Sequence, residues 1–134
     1  MLEVYSKNVS VAAGEQIALK DVSIVKGKTA QLQGAASIVL APNRCGVYKI
    51  TVNASVTPSA EGSASIQMEK NGTLVDNAIS TADAADDGTV ALSFTTLVPV
   101  QASNCECAVP TTLAFVSGTA ATINNIDVVV DKIV

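Results

Sequence analysis

The fold class of this chain is decided by the stretch Gly46-Val47-Tyr48-Lys49-Ile50-Thr51-Val52-Asn53-Ala54-Ser55-Val56. Apolar and polar residues alternate here with a period of two, which is the pattern of a β-strand that buries one face. The apolar face holds one tyrosine and four aliphatic residues: Tyr48, Ile50, Val52, Ala54 and Val56. We therefore expect a long antiparallel strand, opened by Gly46, with this face in a hydrophobic core.

A hairpin follows the long strand. Ile66-Gln67-Met68-Glu69-Lys70 leads into Asn71-Gly72, and Thr73-Leu74-Val75 leads away from it. Asn-Gly supplies the two positive-φ residues of a type I′ turn. Pairing Lys70 with Thr73 would then set Met68 opposite Val75. The apolar face predicted for the hairpin consists of Ile66, Met68, Val75 and Ile79.

The pattern of the remaining segments predicts further strands separated by turns. A second long strand alternates over Val90–Val100, and Pro99 indicates its end or a sheet edge. A last strand runs from Ile126 to Val134; Val129 and Ile133 make its second face partly apolar, which favours a central position or a subunit contact. The remaining strand candidates are Val4–Val11 as an edge strand, Gln16–Lys20, Asp21–Val25, Gln31–Leu32, Ser37–Leu40, Thr112–Val116 and Ala120–Ile123. The predicted surface loops are Ser80–Gly88 and Gln101–Pro110. About eight to ten strands at this spacing predict an all-β antiparallel sandwich.

Length and composition limit the classes of protein. The 134 residues suit a single domain spanning residues 1–134. Hydrophobic residues make up 49% and charged residues 15%, with a net charge of −4. No run approaches the ~20 apolar residues of a membrane helix, and Arg44 is the only arginine. We expect neither a membrane nor a nucleic acid as partner, and the apolar surplus favours an apolar subunit interface.

The residue types argue against catalysis. The chain has no histidine, so the commonest general base is missing and a Ser-His-Asp triad is excluded. A glycine-rich phosphate loop is also lacking, and the carboxylate pairs lie in predicted loops without the pattern of a cleft. We expect a protein that is not an enzyme and that carries no cofactor.

Two clusters are candidate metal sites, and each has an ordinary interpretation that we prefer. Asp83, Asp86 and Asp87 could bind calcium, but calcium takes six to eight oxygen ligands and the spacing is not that of a twelve-residue calcium loop. A solvated acidic loop is the preferred interpretation. The thiols of Cys45, Cys105 and Cys107 could bind a metal, yet zinc prefers four ligands. Reduced or partly paired cysteines are the preferred interpretation.

Four segments together resemble a known family. They are Gly46-Val47-Tyr48-Lys49-Ile50, Ile66 to Val75 with its Asn71-Gly72 turn, Gly88-Thr89-Val90, and the closing Ile126-Asp127-Val128-Val129-Val130-Asp131-Lys132-Ile133. They resemble the globular-head jelly roll that is shared by the complement globular head and tumour necrosis factor, over about residues 17 to 134. The resemblance implies a jelly-roll sandwich and a homotrimer around an apolar axis. It implies structural roles for Gly46, Tyr48, Asn71 and Gly72.

The resemblance also implies a class of function. The chain shows neither a collagen-like stalk nor an export signal, and it has only two Tyr and two Phe. These features favour the bacteriophage branch: a trimeric head fibre or capsid decoration subunit, assembled in the host cytoplasm, located in the virion and docked to the major capsid protein or other virion proteins. Residues 1–11 lie outside the family pattern and are expected to be an attachment segment. The alternative is a receptor- or glycan-binding module of a phage fibre or of a bacterial or spore surface, with Ser80–Gly88 and Gln101–Pro110 at its tip.

Overall fold

The computed structural model describes residues 1–41, 46–60, 62–85, 88–100 and 111–134. These residues form ten β-strands, which confirms the all-β prediction. The strands are β1 (Leu2–Val11), β2 (Asp21–Val25), β3 (Ala30–Gln33), β4 (Ser37–Leu40), β5 (Gly46–Pro58), β6 (Gly62–Lys70), β7 (Thr73–Ala84), β8 (Val90–Val100), β9 (Thr111–Ser117) and β10 (Ala121–Lys132). The described part of the chain contains no helix that is long and apolar enough to cross a membrane.

The strands form two five-stranded antiparallel sheets. The first sheet has the order β2-β1-β10-β5-β8, and the second has the order β3-β4-β9-β6-β7. From β4 to β10 the chain changes sheet at every connection except the β6–β7 hairpin, which is the jelly-roll topology that we predicted. One hydrophobic cluster lies between the sheets and takes buried side chains from both. A side chain's role therefore depends on whether it faces this cluster or points outward.

The long strand β5 lies in the register that its alternation predicts. All five residues of the predicted apolar face are buried, and the tyrosine has no exposed surface. All of β8 pairs with β5, from Gly46↔Val100 to Val56↔Val90. β8 is one of the two edge strands of the first sheet, and Pro99 lies near its end, as predicted.

The hairpin register departs from the prediction after two residue pairs. Lys70 pairs with Thr73, but the pairing of β6 and β7 then shifts by three residues, and Gln67 lies opposite Ile79. Because a shift by an odd number reverses which side chains face the core, Ala78 is buried and Ile79 is 41% exposed. The predicted core position of Ile79 is therefore wrong. Leu74 is also exposed.

Three further predictions of local structure need correction. β1 pairs with both β2 and β10, so it is an interior strand and not an edge strand. The segment Gln16–Lys20 forms only an isolated bridge, Gln16↔Val116, although Ile17 and Leu19 are buried. β7 extends to Ala84, so the first part of the predicted loop Ser80–Gly88 is a strand. The predicted loop Gln101–Pro110 lies outside the described residues.

Candidate functional site

The outer face of the second sheet is partly covered by the chain itself. Gln16 is bridged to Val116 of β9, and its side-chain amide donates a hydrogen bond of 3.0 Å to Oε1 of Glu69 on β6. β9 lies between these two partners, so the hydrogen bond crosses its outer face. Ala114 and Val116, which point outward there, are consequently buried. These contacts close the part of the face over β9, whereas Leu74 and Ile79 of β7 stay exposed.

The outer face of the first sheet has a different character. One row of paired residues crosses all five strands: Ile24, Glu3, Val129, Thr51 and Thr95. Four of these five side chains carry no charge. Large exposed aliphatic side chains stand near the two opposite edges of the sheet, with Ile24 of β2 exposed by 37% and Leu97 of β8 by 57%. This face therefore offers apolar surface that the described chain does not cover.

Two carboxyl groups lie together near the middle of the same face. Glu3 of β1 is paired with Val129, and Asp127 of β10 is paired with Tyr5, so the two acids are diagonal neighbours. Burial, a side-chain hydrogen bond with Glu3 and the negative charge of Glu3 together raise the pKa of Asp127 from 3.8 to about 6. The sequence gives no local sign of the pair, because its members are joined only by the pairing of the first and last strands.

The residues predicted to be structural fall into two places. Tyr48 is fully buried in the core, with its hydroxyl 3.5 Å from the carbonyl oxygen of Thr29. Gly46 has a φ of +145°, and a Cβ there would overlap the carbonyl oxygen of Val134. Both residues belong to the start of β5 and support the sandwich rather than a binding surface.

Asn71 and Gly72 form the turn between β6 and β7. Their φ angles are +53° and +84°, as a type I′ turn requires. Asn71 also contacts β9: its backbone N–H donates to the carbonyl oxygen of Thr112 at 2.9 Å, and its Oδ1 accepts from the Thr112 N–H at 2.9 Å. The turn residue thus links the hairpin to the neighbouring strand, a role that the two-residue turn motif does not reveal.

Of the predicted metal candidates, Asp83 lies among the described residues. Asp83 is exposed near the end of β7, where it accepts a hydrogen bond of 3.1 Å from the Ser63 hydroxyl. Asp86 and Asp87 lie outside the described residues, as do all three cysteines, Cys45, Cys105 and Cys107. Among the described residues, no group of three or more His, Cys, Asp or Glu side chains could hold a metal ion.

Comparison with solved structures identifies the fold. Murine APRIL matches with a TM-score of 0.70 and 8% identity, over 98% of each chain. The globular domain of zebrafish complement 1qA matches with a TM-score of 0.66 and 8% identity, over 96% of this chain and 94% of the other. The fold is a jelly roll of the globular-head type. It is also that of the PRD1 phage vertex protein P5, which matches with a TM-score of 0.58 and 17% identity, over 99% of this chain and 96% of the other.

Comparison of the sequence itself gives no match. No protein-family model matches the chain, and no curated protein does so either. The likeness to the globular heads and to the vertex protein therefore concerns the fold, since the identities are between 8% and 17%.

Proposed function

We propose that this protein is a non-enzymatic structural protein of a bacteriophage virion, a homotrimeric head fibre or capsid decoration subunit. The observation that carries this proposal is the likeness to the PRD1 phage vertex protein P5, which extends over 99% of this chain and 96% of that one. The absence of histidine from the sequence supports a role that is not catalytic. The partners would be the major capsid protein or other virion proteins, and assembly would take place in the host cytoplasm.

The outer face of the first sheet is the surface that best suits the trimer contact. Its exposed aliphatic residues lie at opposite edges, and a neighbouring copy that lies across the face would contact both edges and the strands between them. A ring of three copies can repeat such a contact at each junction. The five strands lie about 4.8 Å apart and the 12 residues of β10 rise by about 3.4 Å each, so the face measures roughly 19 by 40 Å. Its area is close to the ~800 Å² that each partner buries in a standard interface.

Residues 1–11 were expected to attach the subunit to the shell. In the structure Leu2–Val11 is β1, hydrogen-bonded on both sides within the first sheet. An attachment role for this segment stays a prediction, and it would have to be exerted by a folded strand rather than by a free arm.

A receptor- or glycan-binding module is the second candidate. The TM-scores of 0.70 and 0.66 to murine APRIL and to the complement 1qA head favour it, because both exceed the value for the vertex protein. The same fold serves unrelated functions, so these values alone do not separate the candidates. Recognition would then depend on loops at one end of the sandwich.

Virion analysis tests the structural role. Quantitative mass spectrometry of phage particles purified from the source culture should find this chain in fixed proportion to the major capsid protein. Particles that lack it would contradict the proposal. Adding the purified protein to an adsorption assay separates the two candidates: a decoration subunit leaves adsorption unchanged, whereas a receptor-binding module competes with the phage.

A further inference from the structure

We propose that the Glu3–Asp127 carboxyl pair couples the self-association of this protein to pH, so that copies associate more tightly in mildly acidic than in neutral solution. The inference rests on the proposed trimer contact through the outer face of the first sheet. The occupant that covers the pair is a second copy of this chain. The pair would make assembly sensitive to protons without any change of fold.

The position of the pair is the first argument. β1 and β10 are interior strands of the first sheet, with β2 on one side and β5 and β8 on the other. Glu3 and Asp127 are both half-buried on the outer face already. A second copy seated on this face would remove more water from the two acids, which penalises their charged forms.

The closeness of the two carboxyl groups is the second observation. As diagonal neighbours on adjacent strands they are two like charges side by side when both are ionised, which favours a bound proton. Burial comes first among the causes that raise the pKa of Asp127 to about 6, followed by a hydrogen bond with Glu3 and the charge of Glu3. As the pH rises above about 6, Asp127 therefore loses its proton and the pair carries two like charges.

The surrounding groups do not place a cation directly opposite the pair. Tyr5 and Asn53 lie opposite Asp127 on the two neighbouring strands, and they present a phenol and an amide. Three further charged side chains lie nearby: Lys7 lies opposite Asn125 and is a diagonal neighbour of Asp127, Lys49 lies opposite Asp131, and Asp21 of β2 lies opposite Tyr5. The causes that shift the pKa of Asp127 are burial and Glu3, and both act against its charged form.

Proton linkage gives the direction of the effect. Covering the pair raises its pKa above the value in the free subunit, so the assembled state binds more protons in the pH range just above 6. Association is therefore strongest below the free-subunit pKa and weakens as pH rises through the pKa of the assembled state. If each subunit takes up one proton, the association constant per subunit changes by up to about tenfold per pH unit in this range.

Sedimentation velocity over a dilution series tests the proposal. The wild type is measured at about pH 5.5 and about pH 8 at equal ionic strength, beside Asp127→Asn, Glu3→Gln and the control Asp131→Asn. The control removes a carboxylate from the same face of the same strand. We expect the wild-type midpoint concentration for dissociation to be at least about tenfold lower at the acidic pH. Asp127→Asn and Glu3→Gln should abolish most of this difference, and Asp131→Asn should retain it.

Two outcomes would overturn the switch while leaving the trimer in place. One is a wild-type trimer whose dissociation midpoint is the same at both pH values. The other is a pH dependence that persists in both Asp127→Asn and Glu3→Gln. A wild-type monomer at both pH values and at every concentration would instead reject the proposed trimer, and the switch with it. Far-UV circular dichroism of each variant at both pH values verifies that folded protein is compared.

Discussion

Tyr48 is the largest of the fully buried side chains described in the core. Replacing it with alanine removes a complete aromatic ring from between the two sheets, and we expect Tyr48→Ala to lower the free energy of unfolding by about 3–5 kcal/mol. Urea denaturation followed by circular dichroism measures the loss. Tyr5→Ala is the matched control, because Tyr5 is half-buried on the outer face and should cost much less. Equal losses for the two variants would show that the core does not depend on Tyr48.

Gly72 occupies a backbone conformation that few residues adopt. Its φ is +84°, and the space around its Cα is open, so any cost of substitution arises from the backbone and not from a clash. A β-branched residue resists positive φ, and Gly72→Val should destabilise the protein by about 1–3 kcal/mol. Gly72→Asn, which tolerates positive φ, should cost clearly less. Thermal melts of both variants make the comparison, and identical melting temperatures would contradict the assigned turn.

At the scale of elements, Asn71 connects the β6–β7 hairpin to β9. Its Oδ1 accepts the N–H of Thr112 at 2.9 Å, so the side chain acts beyond its own turn. Asn71→Gly keeps the positive φ but removes the acceptor, and we expect a loss of about 0.5–1.5 kcal/mol. Asn71→Asp keeps an oxygen in place and is the matched control.

Amide hydrogen exchange of Thr112 reports on this contact directly. Exchange should be faster in Asn71→Gly than in the wild type and in Asn71→Asp. If the Thr112 amide is equally protected in all three proteins, the side-chain hydrogen bond does not hold the hairpin to β9.

At the scale of the whole molecule, the exposed edge of β8 is where we expect a neighbouring copy to pack. The wild type should have a solution mass of about three times 13.6 kDa. Leu97→Lys places a charge on the outer face of the first sheet and should shift the mass towards that of a monomer. Leu74→Lys is the control: Leu74 is 49% exposed, close to the 57% of Leu97, but it lies at the hairpin tip of the second sheet.

Light scattering coupled to size-exclusion chromatography gives the solution masses of the wild type and of the two variants. Loss of the trimer in Leu97→Lys but not in Leu74→Lys would support the first sheet as the contact surface. If both variants keep the wild-type mass, the contact lies elsewhere; if the wild type is a monomer, the proposed assembly is wrong.

The strands that could be predicted are those with a long alternation of apolar and polar side chains. β5 alternates up to Val56, and β8 alternates except at Thr96 and Leu97, so the inward face of each follows from its pattern. The partly apolar second face of β10 indicated a central strand or a subunit contact, and β10 is the middle strand of the first sheet. The two residues with positive φ at the Asn71–Gly72 turn could likewise be predicted, because a two-residue hairpin leaves few alternatives.

Predictions failed where pairing across strands decides the outcome. The three-residue shift between β6 and β7 reverses the inward face of β7 and exposes Ile79, although its own residues continue an apolar alternation. Gln16–Lys20 has a strand-like pattern, yet only Gln16 is bridged, to Val116 of β9 beyond the point where β4 stops pairing with that strand. The backbone N–H of Ile17 donates to Phe115 of β9 and that of Leu19 to Ala35, so the two buried residues are held by different neighbours and not by a strand of their own.

By itself, the sequence determined the class of fold, the strands β5 and β8 and the hairpin turn, because each shows in the pattern of residues along a single segment. Only the tertiary structure decided that β1 is an interior strand, that Glu3 meets Asp127, and that Ile24 and Leu97 stand near opposite edges of one sheet. These features depend on pairs that lie far apart in sequence, such as Glu3 and Asp127. Residues two apart share a face in any β-strand, but which strands stand side by side is set by how the whole chain closes its core.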